Sequence, residues 1–172
     1  MATTIRPADI NDVTTVINIG KVAVELAHRK SCAAADLAEY LSAHYSHEAI
    51  TNELTDPNNH YHIICYNGQP AGFSKIIYNT AHANIKERNV TKLDRIYLLE
   101  EYFGKGLGYA LLQHNINLAR LQNQAGIWLF TWTGNQRAVD FYSKACFTIV
   151  GTHSFRVSGT HYNPNHHMYL AL

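Results

Sequence analysis

The chain predicts a mixed α/β fold: a central, mostly antiparallel sheet containing one parallel pair, with helices on both faces. Three observations predict it. An apolar run at 90–99, a helix-period run at 105–122 and a second apolar run at 127–132 form a strand–helix–strand unit. Such a unit implies parallel pairing through a right-handed crossover. Asn67-Gly68 lies between two strand-like runs and reads as a two-residue hairpin turn, whose central residues need positive φ. A long strand-like run from Phe147 to Val157, a loop with Gly159 and Pro164, and a last run from His167 to Leu172 form a late hairpin. At 172 residues the chain fits one domain spanning 1–172.

In order, Thr3 to Arg6 reads as a short strand ended by Pro7. Asp9 is a candidate N-cap, and Ile10, Val13, Val16, Ile17, Gly20 and Val24 recur at helical spacing through about residue 28. A second helix runs from Asp36 to about His44. A third, capped by Ser46 and carrying Ala49, Ile50 and Leu54, stops at Asp56-Pro57. Tyr61–Tyr66 and Ala71–Tyr78 are the hairpin strands, and Asn79–Asn89 breaks the pattern as a loop. The helix at 105–122 shows a stripe of Leu107, Ala110, Leu111, Leu118 and Leu121. Ile127–Trp132 is apolar throughout, as for a strand covered on both faces. Gly134-Asn135 opens a further helix that runs to Lys144.

Composition removes several function classes. Hydrophobic residues make up 47% and charged residues 16%, which fits a packed globular chain. A formal net charge of +1 argues against nucleic-acid binding by bulk charge. No apolar run approaches the roughly 20 residues that span a bilayer, and the N-terminus lacks a basic region followed by an apolar core. Cys32, Cys65 and Cys146 are far apart and odd in number, as for free thiols in a reducing cytoplasm, and Cys146 is expected to be buried beside a core strand. Among eleven histidines, His161, His166 and His167 lie closest together. Neighbours on a strand point to opposite faces and no Cys or carboxylate joins them at zinc spacing, so no metal site is expected.

The stretch RIYLLEEYFGKGLGY, Arg95 to Tyr109, joins a strand to a helix through Gly104, Gly106 and Gly108. Strand, glycine turn and helix start together gather backbone N–H groups that can hold a phosphate. The dinucleotide pattern GxGxxG is absent, and no Gly-Lys-Ser/Thr follows for a nucleoside-triphosphate loop. Taken alone, the turn also fits simple strand–helix packing. Acidic residues Glu25, Asp36, Glu39 and Glu48 on the first helices fit either a solvated face or a cation-binding mouth.

The second segment is TGNQRAVDFYSKACF, with Asn135 entering a helix, Ala138 one turn on, Phe141-Tyr142 another turn on, and Phe147 opening a strand. With both segments, the sequence resembles the GNAT family of acyl-CoA N-acyltransferases. The resemblance covers essentially the whole chain and is strongest over 93–150; LDRIYLLEEYFGKGLG and GTHSFRV look most like the spermidine/spermine acetyltransferase-like branch. Two departures stand out: Phe103 sits where the family usually has Gln or Arg, and Ala145-Cys146 where Met/Leu-Gly is commoner.

The resemblance implies a parallel strand pair splayed to hold coenzyme A, and transfer of an acetyl group from acetyl-CoA to a primary amine: a polyamine, another small amine or a peptide amine. It implies that Gly104, Lys105, Gly106, Leu107, Gly108 and Tyr109 hold the pyrophosphate, and that Ile96, Tyr97 and Leu98 pair with the pantetheine arm. Asn135 bonds the pantetheine or caps its own helix. The Leu98 N–H faces the developing oxyanion. Tyr142 is the acid for the departing thiolate, a phenol of pKa about 10 against a thiol of about 8.5. Asp94 is a candidate base; Glu100, Glu101 and a water relay are alternatives. His153 and the 158–166 loop border the acceptor, and the family often forms homodimers. A CoA-binding module without chemistry, or a phosphate-binding domain unrelated to CoA, are the competing readings.

Overall fold

The computed structural model describes residues 2–172. Seven strands form one sheet in the order β1-β2-β3-β4-β5-β7-β6. They are β1 (Thr3–Pro7), β2 (His60–Tyr66), β3 (Gln69–Ile77), β4 (Val90–Leu98), β5 (Gly126–Trp132), β6 (Thr148–Arg156) and β7 (Tyr162–Ala171). The helices are α1 (Val13–His28), α2 (Ala34–His44), α3 (His47–Thr55), α4 (Leu107–Leu121) and α5 (Gln136–Lys144). All neighbours pair antiparallel except β4 and β5. The expected mixed sheet with one parallel pair is therefore present.

Local chemistry sets the helix starts. The Asp9 side chain accepts from the Asn11 N–H, and the Asp9 N–H donates to Asp12. This capping box opens a single 3-10 turn, Ile10–Asp12, before α1 begins. The Ala49 N–H donates to Ser46 Oγ at 3.1 Å, a cap worth about 1 kcal/mol. The Ala138 N–H donates to Asn135 Oδ1 at 3.1 Å and starts α5.

Alternation along the strands divides the core between two faces. Ile63, Cys65 and Phe73 pack with Val16, Ile19, Val24, Leu37 and Ile50 of α1–α3. Ile64 and Ala71 pack with Leu107 and Leu111 of α4 on the other face. Beside them, Ile127, Leu129 and Met168 meet Leu112, Ile116 and Tyr142, so α4 and α5 share that side.

β4 and β5 pair over three positions only, Val90–Lys92 against Gly126–Trp128. Against β3, Lys75 pairs with Arg95 and Ile76 with Leu93, which leaves Asp94 as the extra residue of a β-bulge. A bulge bends its strand and increases its twist. It lies two residues past the last β4–β5 pair, so β4 turns away from β5 and a slot opens beyond Lys92.

Two sequence expectations are corrected. The last strand begins at Tyr162, not His167, and contains Pro164. Pro164 sits just before the first β5–β7 pair, where β7 is paired on one side only, so its missing N–H costs little. Cys146 is exposed rather than buried, with φ of +67°. That left-handed backbone is the reason glycine is the commoner residue at this place. All three cysteines are free.

Candidate active site

The glycine turn closes the slot at one end. Gly104 and Gly106 have φ of +73° and +75°, conformations that a side chain would strain. Gly106 is the N-cap of α4, so the first free N–H groups of that helix open onto the turn. A groove of about 810 Å³ runs over Gly104, Gly106, Leu107, Gly108 and Tyr109 to Ile96 and Leu98.

The end of β4 offers this groove a free backbone edge. The Leu99 N–H donates to Ala71 O at 3.0 Å. In an antiparallel ladder the pattern alternates, so Tyr97 also turns its backbone to β3 while Ile96 and Leu98 turn theirs toward the slot. Tyr97 thus meets the groove through its side chain.

Lys105 turns away from the groove. Its ammonium donates to Glu101 O and lies over the rings of Tyr66 and Tyr102. The cation that does reach the groove is Arg137, whose guanidinium stacks on the Phe103 ring at 3.5 Å. Arg29 and Lys30, at the end of α1, also line the groove. The sequence reading missed all three. Arg137 was signalled only by its place two residues after Asn135.

A second cavity of about 400 Å³ meets this groove. Ile96, Tyr97, Trp132, Asn135, Ala138 and Tyr142 line both. Tyr142 is 8% exposed. Burial pushes this phenol up, so it holds its proton at neutral pH. The Asn135 carbonyl caps α5, which leaves its amide N–H groups for the cavities.

The second cavity holds an ion network that sequence reasoning foresaw only at Asp94. Lys92 Nζ lies 2.6 Å from Asp94 Oδ1, and Lys75 Nζ 3.1 Å from Oδ2. Lys75 also bonds Glu53 Oε2 at 2.7 Å, and Arg95 Nη2 bonds Glu53 Oε1 at 2.9 Å. The Tyr61 hydroxyl donates to Glu53 and accepts from Arg95 at 2.8 Å. Burial alone would raise the Asp94 carboxyl; Lys92 and Lys75 outweigh it and hold it down to about 2. Burial likewise opposes ionisation of Glu53, and Arg95, Lys75 and Tyr61 keep it below the usual carboxylate range. His28 and His44 line the same cavity, both held below the ordinary imidazole value, chiefly by burial.

Other expected residues lie elsewhere. Asp36 accepts from Ser158 Oγ at 2.6 Å and Glu39 from the Gly159 N–H at 3.1 Å, so these carboxylates fasten the loop after β6. Glu25 is exposed, away from both cavities. Glu100 borders the groove and Glu101 is exposed. His153 stacks on Phe130 at 4.1 Å instead of lining the acceptor-side cavity, which Phe155, Val157, Asn163 and Asn165 border. Among the described residues no three His, Cys, Asp or Glu side chains gather as for a metal ion. No helix among them is long and apolar enough to cross a membrane.

A splayed parallel pair beside a glycine turn at a helix start is an acyltransferase architecture, and a model of the acetyltransferase (GNAT) family matches residues 14–146. The chain belongs to that family. An uncharacterized N-acetyltransferase of Mycobacterium tuberculosis is 31% identical over 127 residues, 74% of this chain and 77% of that protein. An N-acetyltransferase from the pepI 3′ region of Lactobacillus delbrueckii subsp. lactis is 25% identical over 120 residues, 70% of this chain and 69% of that one. The fold is similar to that of the PaiA N-acetyltransferase of Thermoplasma acidophilum in complex with coenzyme A, with TM-score 0.80, 19% identity and full coverage of both chains. It is also similar to the ribosomal-protein-S18-alanine N-acetyltransferase of Escherichia coli, with TM-score 0.72 and 18% identity, over 99% of this chain and 94% of that one.

Proposed function

We propose that the protein is an acetyl-CoA-dependent N-acetyltransferase that passes the acetyl group directly to a primary amine. The observation that carries this is the meeting of two cavities at Ile96, Asn135 and Tyr142, between strands that part after three pairs. The groove fits a coenzyme A arm: left-handed glycines at its phosphate end, cations at its rim, and unpaired backbone at Ile96 and Leu98. Acetyl-CoA supplies an activated thioester when bound.

The residues then divide the work. N–H groups from Gly106 to Tyr109 and the Arg137 guanidinium hold the phosphates. Ile96 and Leu98 receive the pantetheine amides as an added strand would be received. The Leu98 N–H faces the thioester oxygen as it gains charge. Tyr142, kept protonated by burial, donates a hydrogen bond to the departing sulfur. The acceptor enters through the second cavity; polyamines, other small amines and peptide amines are the classes this reading covers.

Asp94 is a weak proton acceptor in this scheme, since a carboxyl held at about 2 rarely takes a proton at neutral pH. It positions Lys75 and Lys92, and the proton of the amine leaves through water. The same saturation favours one alternative, a CoA-binding module without turnover.

Thiol release from acetyl-CoA with a panel of polyamines, amino acids and peptides decides between the two. Tyr142→Phe is expected to lower kcat at least about tenfold while calorimetric CoA affinity stays near that of the parent. Unchanged kcat would remove Tyr142 from the chemistry. Tight CoA binding with no thiol release from any acceptor would favour the module.

A further inference from the structure

The charge lining the acceptor-side cavity bears on which amine enters it. Its ionised groups are Lys75, Lys92 and Arg95 against Glu53 and Asp94, with His28 and His44 neutral by burial. One cation is in excess. Both carboxylates also already carry cations. Glu53 accepts from Tyr61, Lys75 and Arg95, and Asp94 from Lys75 and Lys92.

The cations are engaged unequally. Arg95 is 7% exposed along its side chain, with Glu53, Tyr61 and the face of Tyr45 around it. Lys75 is 9% exposed and lies between two carboxylates. Lys92 is 26% exposed and has one carboxylate partner, with the Trp128 ring 5.6 Å from its nitrogen. An ammonium has three donors, so Lys92 keeps donors for a ligand. A dication or longer polyamine would find only carboxylates that already carry cations, and one surplus positive charge. An anionic group would find the spare donors of Lys92, whose one carboxylate partner, Asp94, is shared with Lys75.

Resting on the acetyl-transfer reading above, we infer that the acceptor is a primary amine that also carries a carboxylate, received at Lys92, and that polyamines are disfavoured at this site.

The test compares matched acceptors in the thiol-release assay: 6-aminohexanoate, hexylamine and 1,6-diaminohexane, then L-phenylalanine against phenethylamine. The carboxylated member of each set is expected to show kcat/KM at least about tenfold above its partners, chiefly through KM. Lys92→Gln is expected to lower that preference about tenfold, and Lys92→Glu to turn it toward the diamine. Parent protein that prefers the diamine, or that treats all members alike, overturns the inference and leaves the acetyl-transfer reading standing. A preference for carboxylates that survives both Lys92 variants overturns the assignment to Lys92. No thiol release from any of these acceptors overturns this inference, and the transfer reading falls with it only if the polyamine and peptide panel is silent as well.

Discussion

Gly72 tests whether the position of β4 controls both stability and transfer. It faces Leu98 across the β3–β4 ladder. A Cβ built there would lie 2.3 Å from the Tyr97 carbonyl oxygen, 2.4 Å from Leu98 Cδ2 and 3.2 Å from Leu98 Cα. The leucine methyl can rotate aside. The carbonyl is part of the strand and cannot, and it falls short of an ordinary carbon–oxygen contact of about 3.4 Å by about 1 Å. Gly72→Ala therefore drives β4 about 1 Å toward the slot. Overpacking of this size costs about 1–3 kcal/mol. For a chain of this length that lowers Tm by about 3–10 °C in scanning calorimetry. The backbone of Ile96 and Leu98 moves with the strand, and a misplacement of about 1 Å at a reacting centre costs up to about 100-fold in rate. Thiol release at saturating acetyl-CoA should fall accordingly. A Tm within about 1 °C of the parent would refute the steric reasoning. A lowered Tm with unchanged kcat would break the link between β4 and transfer.

Arg137→Ala removes the cation stacked on Phe103 and is expected to weaken CoA about 5- to 30-fold by calorimetry, with a shallower salt dependence; unaltered affinity would leave the phosphates to the backbone alone. Cys146→Gly relieves a left-handed cysteine and should raise the unfolding free energy by about 1 kcal/mol in urea; a loss of stability would show that the thiol packs usefully. His62 and His167 are buried and held at about 4, by desolvation first and then by neighbouring imidazoles. The unfolded chain takes up their protons below about 6.5, so stability is complete above that value and falls as pH drops toward 4. Urea melts at pH 5 should show a loss of up to about 2 kcal/mol per histidine relative to pH 7, and equal midpoints at the two values would contradict it.

What the sequence disclosed was chemistry confined to neighbours. Asp9, Ser46 and Asn135 bond N–H groups within three residues, and each was readable as a cap. Gly104 and Gly106 were readable because no other residue adopts their backbone so freely. The cavity network was not readable. It joins Glu53 of α3, Tyr61 of β2, Lys75 of β3 and Arg95 of β4, partners separated by 8 to 42 residues. In the sequence these look like charges interrupting apolar strands, and only the sheet brings them together. Asp94 was singled out from the resemblance, but its bonds to Lys75 and Lys92 depend on a bulge that no residue spacing announces. Cys146 was misplaced because its proximity to a core strand says nothing of the left-handed turn that throws it outward.

The short β4–β5 ladder has a mechanical consequence. The sheet consists of two antiparallel halves, one of four strands and one of three, coupled through three residue pairs. From Lys92 to Leu98 the strand extends about 20 Å beyond that coupling. At that lever length, a rotation of about 3° between the halves displaces the far end by about 1 Å. The width available to an acyl group is therefore set by an angle at Val90–Lys92, remote from the reacting atoms. Substitutions at Val90 or Thr91, which line neither cavity, would alter tolerance for longer acyl chains.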